Sequence, residues 1–195
     1  MSYGRPLSFD PDEALQAAME VFWAKGFATA SLQDLLQAMH LSKSSFYQSF
    51  GSKQELFARC FNHYCRWRSA RMRAGLRQAK SACDFIEDTF LSVAGGAESE
   101  LEKRGCLLMN TASEFGQRDP KVAELVSSGL ACFATVFREA IEQAQAEGSI
   151  DREKDPQSLA DFLVSSMSGI RIMVKAGMST PQTTEIVHIM LRCLK

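Results

Sequence analysis

Apolar residues recur along this chain at intervals of three and four, the spacing that lines one side of a helix, and runs of β-branched residues are few. Ala14, Ala17, Ala18, Val21 and Phe22 give the first such face. Asp10-Pro11-Asp12-Glu13 opens it, with Asp10 as N-cap, Pro11 in the first turn and Glu13 placed for a capping box; Gly26 ends it. Ser31 caps a second helix carrying Leu32, Leu35 and Leu36, and Ser42 caps a third. Ser52 and Glu55 box a fourth, which runs to about Lys80 and is longer than those before it. Asp84 to Val93 reads as a fifth helix, Gly95-Gly96 as a break, and a sixth starts near Gly105. Asp119-Pro120, Asp155-Pro156 and Thr180-Pro181 open the last three, with Gly148 and Gly177 ending two of them. The pattern predicts an all-α fold of about nine helices: three short ones, a long connecting helix and a bundle of five more.

The third helix is unlike a core element. Behind Ser42 it spends Lys43, Ser44, Ser45, Tyr47, Gln48 and Ser49 on one short segment, and only Phe46 and Phe50, four apart, can face inward. Lys43, Ser44, Tyr47 and Gln48 then point outward. Gln pairs with the adenine edge, Lys with guanine or phosphate and Ser with either; a tyrosine offers its hydroxyl to phosphate or its ring to a thymine methyl. Lys53, in the first turn of the fourth helix, sets an amine beside exposed backbone N–H groups, which makes a phosphate clamp. Two short helices joined by a tight turn form a helix-turn-helix over about residues 31–50. Ordinary solvation accounts for Ser44 or Gln48 taken singly. The whole array, with its turn and caps, points to nucleic acid.

Charge distribution supports that reading although the total does not. The 195 residues carry a net charge of −1. Residues 1–80 hold 11 Lys and Arg against 6 Asp and Glu, whereas residues 81–195 hold 11 against 17. A basic N-terminal part on an acidic body suits one module that meets phosphates and one that does not. Part of the excess is the run Arg66, Arg68, Arg71, Arg73, Arg77 and Lys80, which also fits the solvated face of a long helix. With 46% hydrophobic and 23% charged residues the chain can bury a core and is not disordered. No signal peptide and no apolar run of roughly 20 residues is read, so a cytoplasmic protein with no membrane partner is expected. Cys60, Cys65, Cys83, Cys106, Cys132 and Cys193 show no CxxC or zinc spacing; Cys60 and His63 share a helix side but have no second ligand pair. Neither a metal nor a cofactor is expected.

Residues 8–68 resemble the DNA-binding domain of the TetR family of bacterial repressors. The residues that carry the resemblance are Phe22, Gly26-Phe27, Thr29, Ser31, Leu35, Leu41-Ser42-Lys43, Tyr47, Phe50 and Ser52-Lys53. It implies an all-helical homodimer that sets Thr29, Ser31, Ser42, Lys43, Ser44, Ser45, Tyr47, Gln48 and Lys53 against a double-stranded operator. It also implies a ligand-binding and dimerisation domain over residues 81–195, and repression relieved by a small-molecule inducer. The chain departs from the family at the turn, where Met39-His40 replaces the usual small residue and Gly, although His tolerates left-handed backbone. Ser44 stands where Gly is frequent, and Ser49 where His usually precedes Phe50.

In the C-terminal half, Phe85, Phe90, Met109, Phe115, Phe133, Phe137, Phe162, Met167 and Met173 either line a ligand cavity or are core at helical spacing. Asn110, Ser113, Ser165, Ser166 and Ser168 interrupt the apolar runs as polar pocket candidates. Gly105–Phe115, GCLLMNTASEF, resembles a segment of one branch of the family that includes repressors responsive to electrophiles or oxidants; in some of these the matching Cys is the sensing thiol. Cys106 falls at a helix N-terminus just after Lys103-Arg104, where the dipole favours thiolate, and Lys175 is a further cationic neighbour if the sixth and eighth helices touch. Glu98, Glu100 and Glu102 oppose that effect, and a buried, inert thiol is the competing reading. The ligand and sensor candidates are therefore Cys106, Met109, Asn110, Ser113, Phe133, Phe137, Ser166 and Lys175.

The last two helices are apolar around much of their surface, which calls for an own-domain core plus a partner, or for complete burial within one subunit. The interface candidates are Leu159, Phe162, Ile170, Ile186, Ile189 and Met190. The expected function is a DNA-binding transcriptional regulator, a repressor released by a small-molecule or electrophilic inducer. The rivals are a helical DNA-binding factor with no inducer and an enzyme on a helical scaffold. Against the enzyme stand the absence of a Ser/His/Asp arrangement or phosphate loop and the scatter of His40, His63 and His188.

Overall fold

Each of the first four helices begins where the sequence supplies an acceptor for its exposed amides. In the computed structural model, which describes residues 9–95, 104–115 and 119–194, Asp10 Oδ1 accepts from the amides of Asp12 (2.8 Å) and Glu13 (3.4 Å). The described residues form nine helices and no strand: α1 (Pro11–Lys25), α2 (Leu32–Ala38), α3 (Lys43–Phe50), α4 (Lys53–Gln78), α5 (Ala82–Ala94), α6 (Leu107–Phe115), α7 (Pro120–Ala146), α8 (Pro156–Lys175) and α9 (Thr180–Arg192). Position 8, where the resembling stretch begins, and Gly96, Glu98, Glu100, Glu102 and Lys103 lie outside the described residues.

The caps differ from expectation in detail. Glu13 lends its amide to the α1 cap, not its carboxylate, so no reciprocal box forms there. A full box forms instead at Ser31 and Asp34: Ser31 Oγ accepts from the Asp34 amide at 3.1 Å, and Asp34 Oδ2 accepts from the Ser31 amide at 2.9 Å. Ser52 and Glu55 make the expected box (2.7 and 3.1 Å). α5 starts earlier than Asp84 because Ser81 Oγ accepts the Asp84 amide and so caps the helix a turn ahead.

The chain divides into two compact units at Tyr64/Cys65, inside α4, which runs unbroken across the division. The first unit is built on aromatic contacts. Phe57 of α4 meets Phe22 edge-on at 5.1 Å and Phe27 at 5.0 Å, and Trp23 meets Tyr64 at 5.1 Å. Burying such side chains contributes about 1.5–3 kcal/mol each. The inner face of α1 is Ala14, Ala18, Met19, Phe22 and Trp23, not Ala17 and Val21, which are half-buried. The helix is turned so that its largest rings reach α4.

In the second unit α7 is central. Its Phe133, Val136, Phe137 and Ile141 are buried, and it packs with α5, α6 and α8. Phe90 of α5 lies 5.8 Å from Phe137. α7 alone among the described helices is long and apolar enough to cross a membrane by length and composition, a test that a core helix also passes. Its buried side chains are the ones packed against the other helices. Buried Thr183 of α9 donates to the Ala94 carbonyl at the end of α5 (2.9 Å), and Gln145 Nε2 donates to the carbonyls of Asp151 and Lys154, closing the loop into α8.

Asp34 also accepts from Lys25 Nζ at 2.7 Å, tying the end of α1 to the start of α2. That hydrogen bond first, then those from the Ser31 amide and hydroxyl, holds its carboxyl at about 2 instead of 3.8. A folded-state value below the unfolded one gives stability that is complete above pH 3.8 and is lost as pH falls towards 2. Asp34→Asn should therefore flatten the acid limb of stability in that window. It should not abolish it, because Glu139, held low first by its bond from Arg73, shifts in the same sense. Thermal melts of both proteins from pH 5 to about pH 2 measure this; equal acid slopes would remove Asp34 from the account.

Candidate nucleic-acid interface

The turn between α2 and α3 is set by one residue with left-handed backbone. His40 has φ 53°, and it follows the C-cap Met39. The His40 amide donates to the Gln37 carbonyl (3.3 Å) and the Leu41 amide to the Leu36 carbonyl (3.0 Å), the paired bonds that close a helix end around such a residue. Met39, which stands where a small residue was expected, is buried, so its bulk is spent on the core. Ser42 then caps α3, its Oγ accepting from the Ser45 amide at 3.1 Å and lying 2.9 Å from the Ser45 hydroxyl.

From this start the eight residues of α3 divide cleanly. Phe46 and Phe50 are buried. Lys43, Ser44, Tyr47 and Gln48 are exposed, Tyr47 by 48% although it is aromatic. Thr29, Ser31 and Ser42 are also exposed and Ser45 is half-buried, but the hydroxyls of Ser31, Ser42 and Ser45 are engaged in the caps. α3 ends at Gly51, whose φ of +73° suits glycine; a Cβ there would run into the Glu55 carboxylate. Lys53 Nζ sits 4.5 Å from the centre of the Phe27 ring, so its amine rests on an aromatic face beside α3. Sequence reasoning missed Arg59. It donates from Nη1 to the Ser49 carbonyl (3.1 Å) and lies over the Phe50 ring, bracing the end of α3 from α4. Only its place ten residues beyond Ser49, on the same side of α4 as Leu56, hinted at this.

The C-terminal candidates are less concentrated. Cys106 is buried immediately before α6. Met109 and Ser168 meet, Ser168 Oγ lying 3.0 Å from Met109 Sδ, so the sixth and eighth helices do touch. Lys175 is exposed at the last residue of α8. Asn110 Nδ2 donates to the Arg104 carbonyl (2.9 Å), Ser113 to the Met109 carbonyl and Ser165 to the Phe162 carbonyl; Ser113 and Ser165 are exposed. These polar groups are satisfied by nearby backbone, and among the described residues no buried side-chain nitrogen or oxygen lacks a partner. Phe133 and Phe137 are core, and Ser166 is half-buried. Among the described residues no cluster suited to a metal ion occurs. Cys60 is buried with its thiol against the Leu15 carbonyl.

The interface candidates divide by exposure. Ile170 and Met190 are buried within their own unit and face its core. Phe162, Ile186 and Ile189 are exposed, by 36%, 37% and 49%, and Ile172 and Met173 join them; Leu159 is half-buried.

A helix-turn-helix with a polar, outward-facing second helix, followed by a separate helical bundle, defines a DNA-binding regulator. Residues 14–60 match the family described as bacterial regulatory proteins, tetR family, and residues 86–189 match the tetracyclin repressor-like C-terminal domain. The HTH-type transcriptional repressor ComR of Escherichia coli (strain K12) is 30% identical over 192 residues, spanning 98% of this chain and 91% of ComR. The uncharacterized HTH-type transcriptional regulator YezE of Bacillus subtilis (strain 168) is 26% identical over 192 residues, 98% of this chain and 99% of YezE. A solved structure of the TetR family transcriptional regulator CifR, a cysteine mutant complexed with 26 bp operator DNA, aligns with a TM-score of 0.82 at 30% identity, covering 98% of this chain and all of that one. The chain belongs to the TetR family and is a DNA-binding transcriptional regulator.

Proposed function

We propose that this regulator is a homodimeric repressor whose N-terminal domain, residues 8–68, reads an operator through α3, and whose domain over 81–195 holds the inducer response and the dimer interface. The observation that carries the reading is the exposed row Lys43, Ser44, Tyr47 and Gln48, backed by buried Phe46 and Phe50. Gln48 and Lys43 supply base contacts, Ser44 and Tyr47 base or phosphate contacts, and Lys53 leaves the Phe27 ring for a phosphate. Similarity to CifR, solved on double-stranded operator DNA, and to the repressor ComR supports operator binding and repression. Lys53→Ala is expected to weaken binding to every sequence and to lower the salt slope by about one counterion per module. Gln48→Ala instead changes base preference, by about 1–3 kcal/mol at the position it contacts. Salt titrations on a panel of operator variants separate the two effects; an unchanged salt slope for Lys53→Ala would falsify the clamp.

Dimerisation is supported by the exposed apolar side chains of α8 and α9. Twofold dimers set their recognition helices on half-sites roughly 34–36 Å apart, which calls for a pseudo-palindromic operator. Ile189→Asp places a charge on that face and leaves the unit's own core untouched, so it should give a folded monomer that no longer binds operator tightly. Sedimentation decides it, and a wild-type monomer would sink the arrangement.

Release of DNA is assigned to a small molecule or electrophile acting in the C-terminal unit, with Cys106 the thiol candidate. The support is its place at the start of α6 within the GCLLMNTASEF segment. Its burial argues for a ligand that enters the unit over one that reacts at the surface. Alkylation should release operator from the parent chain and not from Cys106→Ser. If Cys106→Ser responds like the parent, the thiol is structural and the inducer is non-covalent.

A further inference from the structure

The second unit brings three of the six cysteines together. Cys65 on α4, Cys106 before α6 and Cys132 on α7 are close enough that the charge of either of the last two would act on the first. No disulfide joins any of the six. Ser69 anchors the geometry. It lies one turn after Cys65 on the same side of α4, both are buried, and its Oγ is 3.1 Å from Cys132 Sγ. One turn further, Arg73 grips Glu139 of α7 through Nε and Nη2 at 2.8 and 2.9 Å. Cys132 thus sits on a polar seam between α4 and α7, with a hydroxyl on its sulfur and a guanidinium close enough to feel its charge.

The three thiols differ in access. Cys65 and Cys106 are buried, and Cys132 is half-buried. Burial first, then the neighbouring Cys106 and Cys132, pushes the Cys65 thiol up to about 12. At neutral pH Cys65 keeps its proton and is protected from oxidants in solution. Of the three, Cys132 is the one within reach of an oxidant in solution, and its sulfur touches the Ser69 hydroxyl.

We propose that Cys132 and Cys65 form a hydroperoxide-oxidisable pair, in which Cys132 is attacked first and Cys65 closes an intrachain disulfide. In the first step the Cys132 sulfur forms a bond to the distal oxygen as the O–O bond breaks; sulfur gives up two electrons, and the leaving oxygen departs as hydroxide that takes a proton to become water. The product is the sulfenic acid. In the second step the Cys65 sulfur displaces the hydroxyl from Cys132. The S–S bond forms, the S–O bond breaks, and the hydroxyl leaves as water with the proton from Cys65. This site is distinct from Cys106 and does not rest on the inducer reading above.

The test treats the whole purified protein with stoichiometric hydrogen peroxide, alkylates the remaining thiols and maps the peptides. The expected result is Cys65 joined to Cys132, with those two cysteines lost from the alkylated pool. Cys132→Ser should keep Cys65 fully alkylated. Cys65→Ser, or Cys65→Ala if the serine variant loses its helical circular dichroism, should leave Cys132 as a sulfenic acid trapped by dimedone. Cys106→Ser should form the bond like the parent. A bond that joins Cys106, disulfide formation that persists in Cys132→Ser, or a parent chain in which Cys132 stops at the sulfenic acid would each overturn the pair. The map is read without DNA, so its failure is separate from failure of the Cys106 release experiment.

Discussion

A helix of eight residues does not hold its shape alone in water, because fixing its first turn costs more than its few hydrogen bonds return. α3 is such a helix, and most of its residues are polar. It persists because Phe46 and Phe50 are buried among the aromatic side chains of the first unit, a contribution of about 1.5–3 kcal/mol apiece. That burial fixes more than stability. With two residues four apart pointing inward, the positions between and beside them must point outward, so the same contact that keeps the helix folded decides that Lys43, Ser44, Tyr47 and Gln48 face solvent. Arg59 holding the Ser49 carbonyl and His40 closing α2 define the two ends of the element whose rotation the phenylalanines set.

This is why the N-terminal unit could be read so fully from sequence. Caps are local: Ser31, Ser42 and Ser52 each act on an amide three residues away, and the residue types that do so are few. Left-handed backbone at His40 follows from its place just past a helix end, where a single positive φ closes the turn. What sequence missed there is non-local. Trp23 faces inward because Tyr64 of α4 receives it, and nothing within α1 distinguishes that rotation from one centred on Ala17 and Val21. Arg59 belongs to the same class, since its role depends on how α4 crosses the end of α3.

In the second unit the helix starts were equally legible, but side-chain roles were not. An apolar helix shows how much surface it must bury and not against what. Ile170 and Ile172 are the same residue type two positions apart, about 200° around the helix, and one is core while the other is exposed by 58%. The serines and Asn110 looked like orphaned polar groups suited to a ligand. Each that donates does so to backbone or to Met109, a solution available to Ser in any helix and invisible to composition.

The cysteines carry that argument to its end. From sequence, Cys106 stood out because it falls at a helix start just after two basic residues, while nothing singled out Cys132. Reactivity, however, needs contact with solvent as well as a favourable field, and burial takes that contact from Cys106 while raising the Cys65 thiol far above neutrality. Cys132 keeps that contact, being half-buried, and its surroundings come from residues far off in the sequence: Ser69 touches its sulfur, and Arg73 is held nearby by Glu139. A thiol's chemistry is thus assigned by the helix that packs across it. Neighbours in sequence mark which thiol to look at, and neighbours in space decide which one solvent can reach.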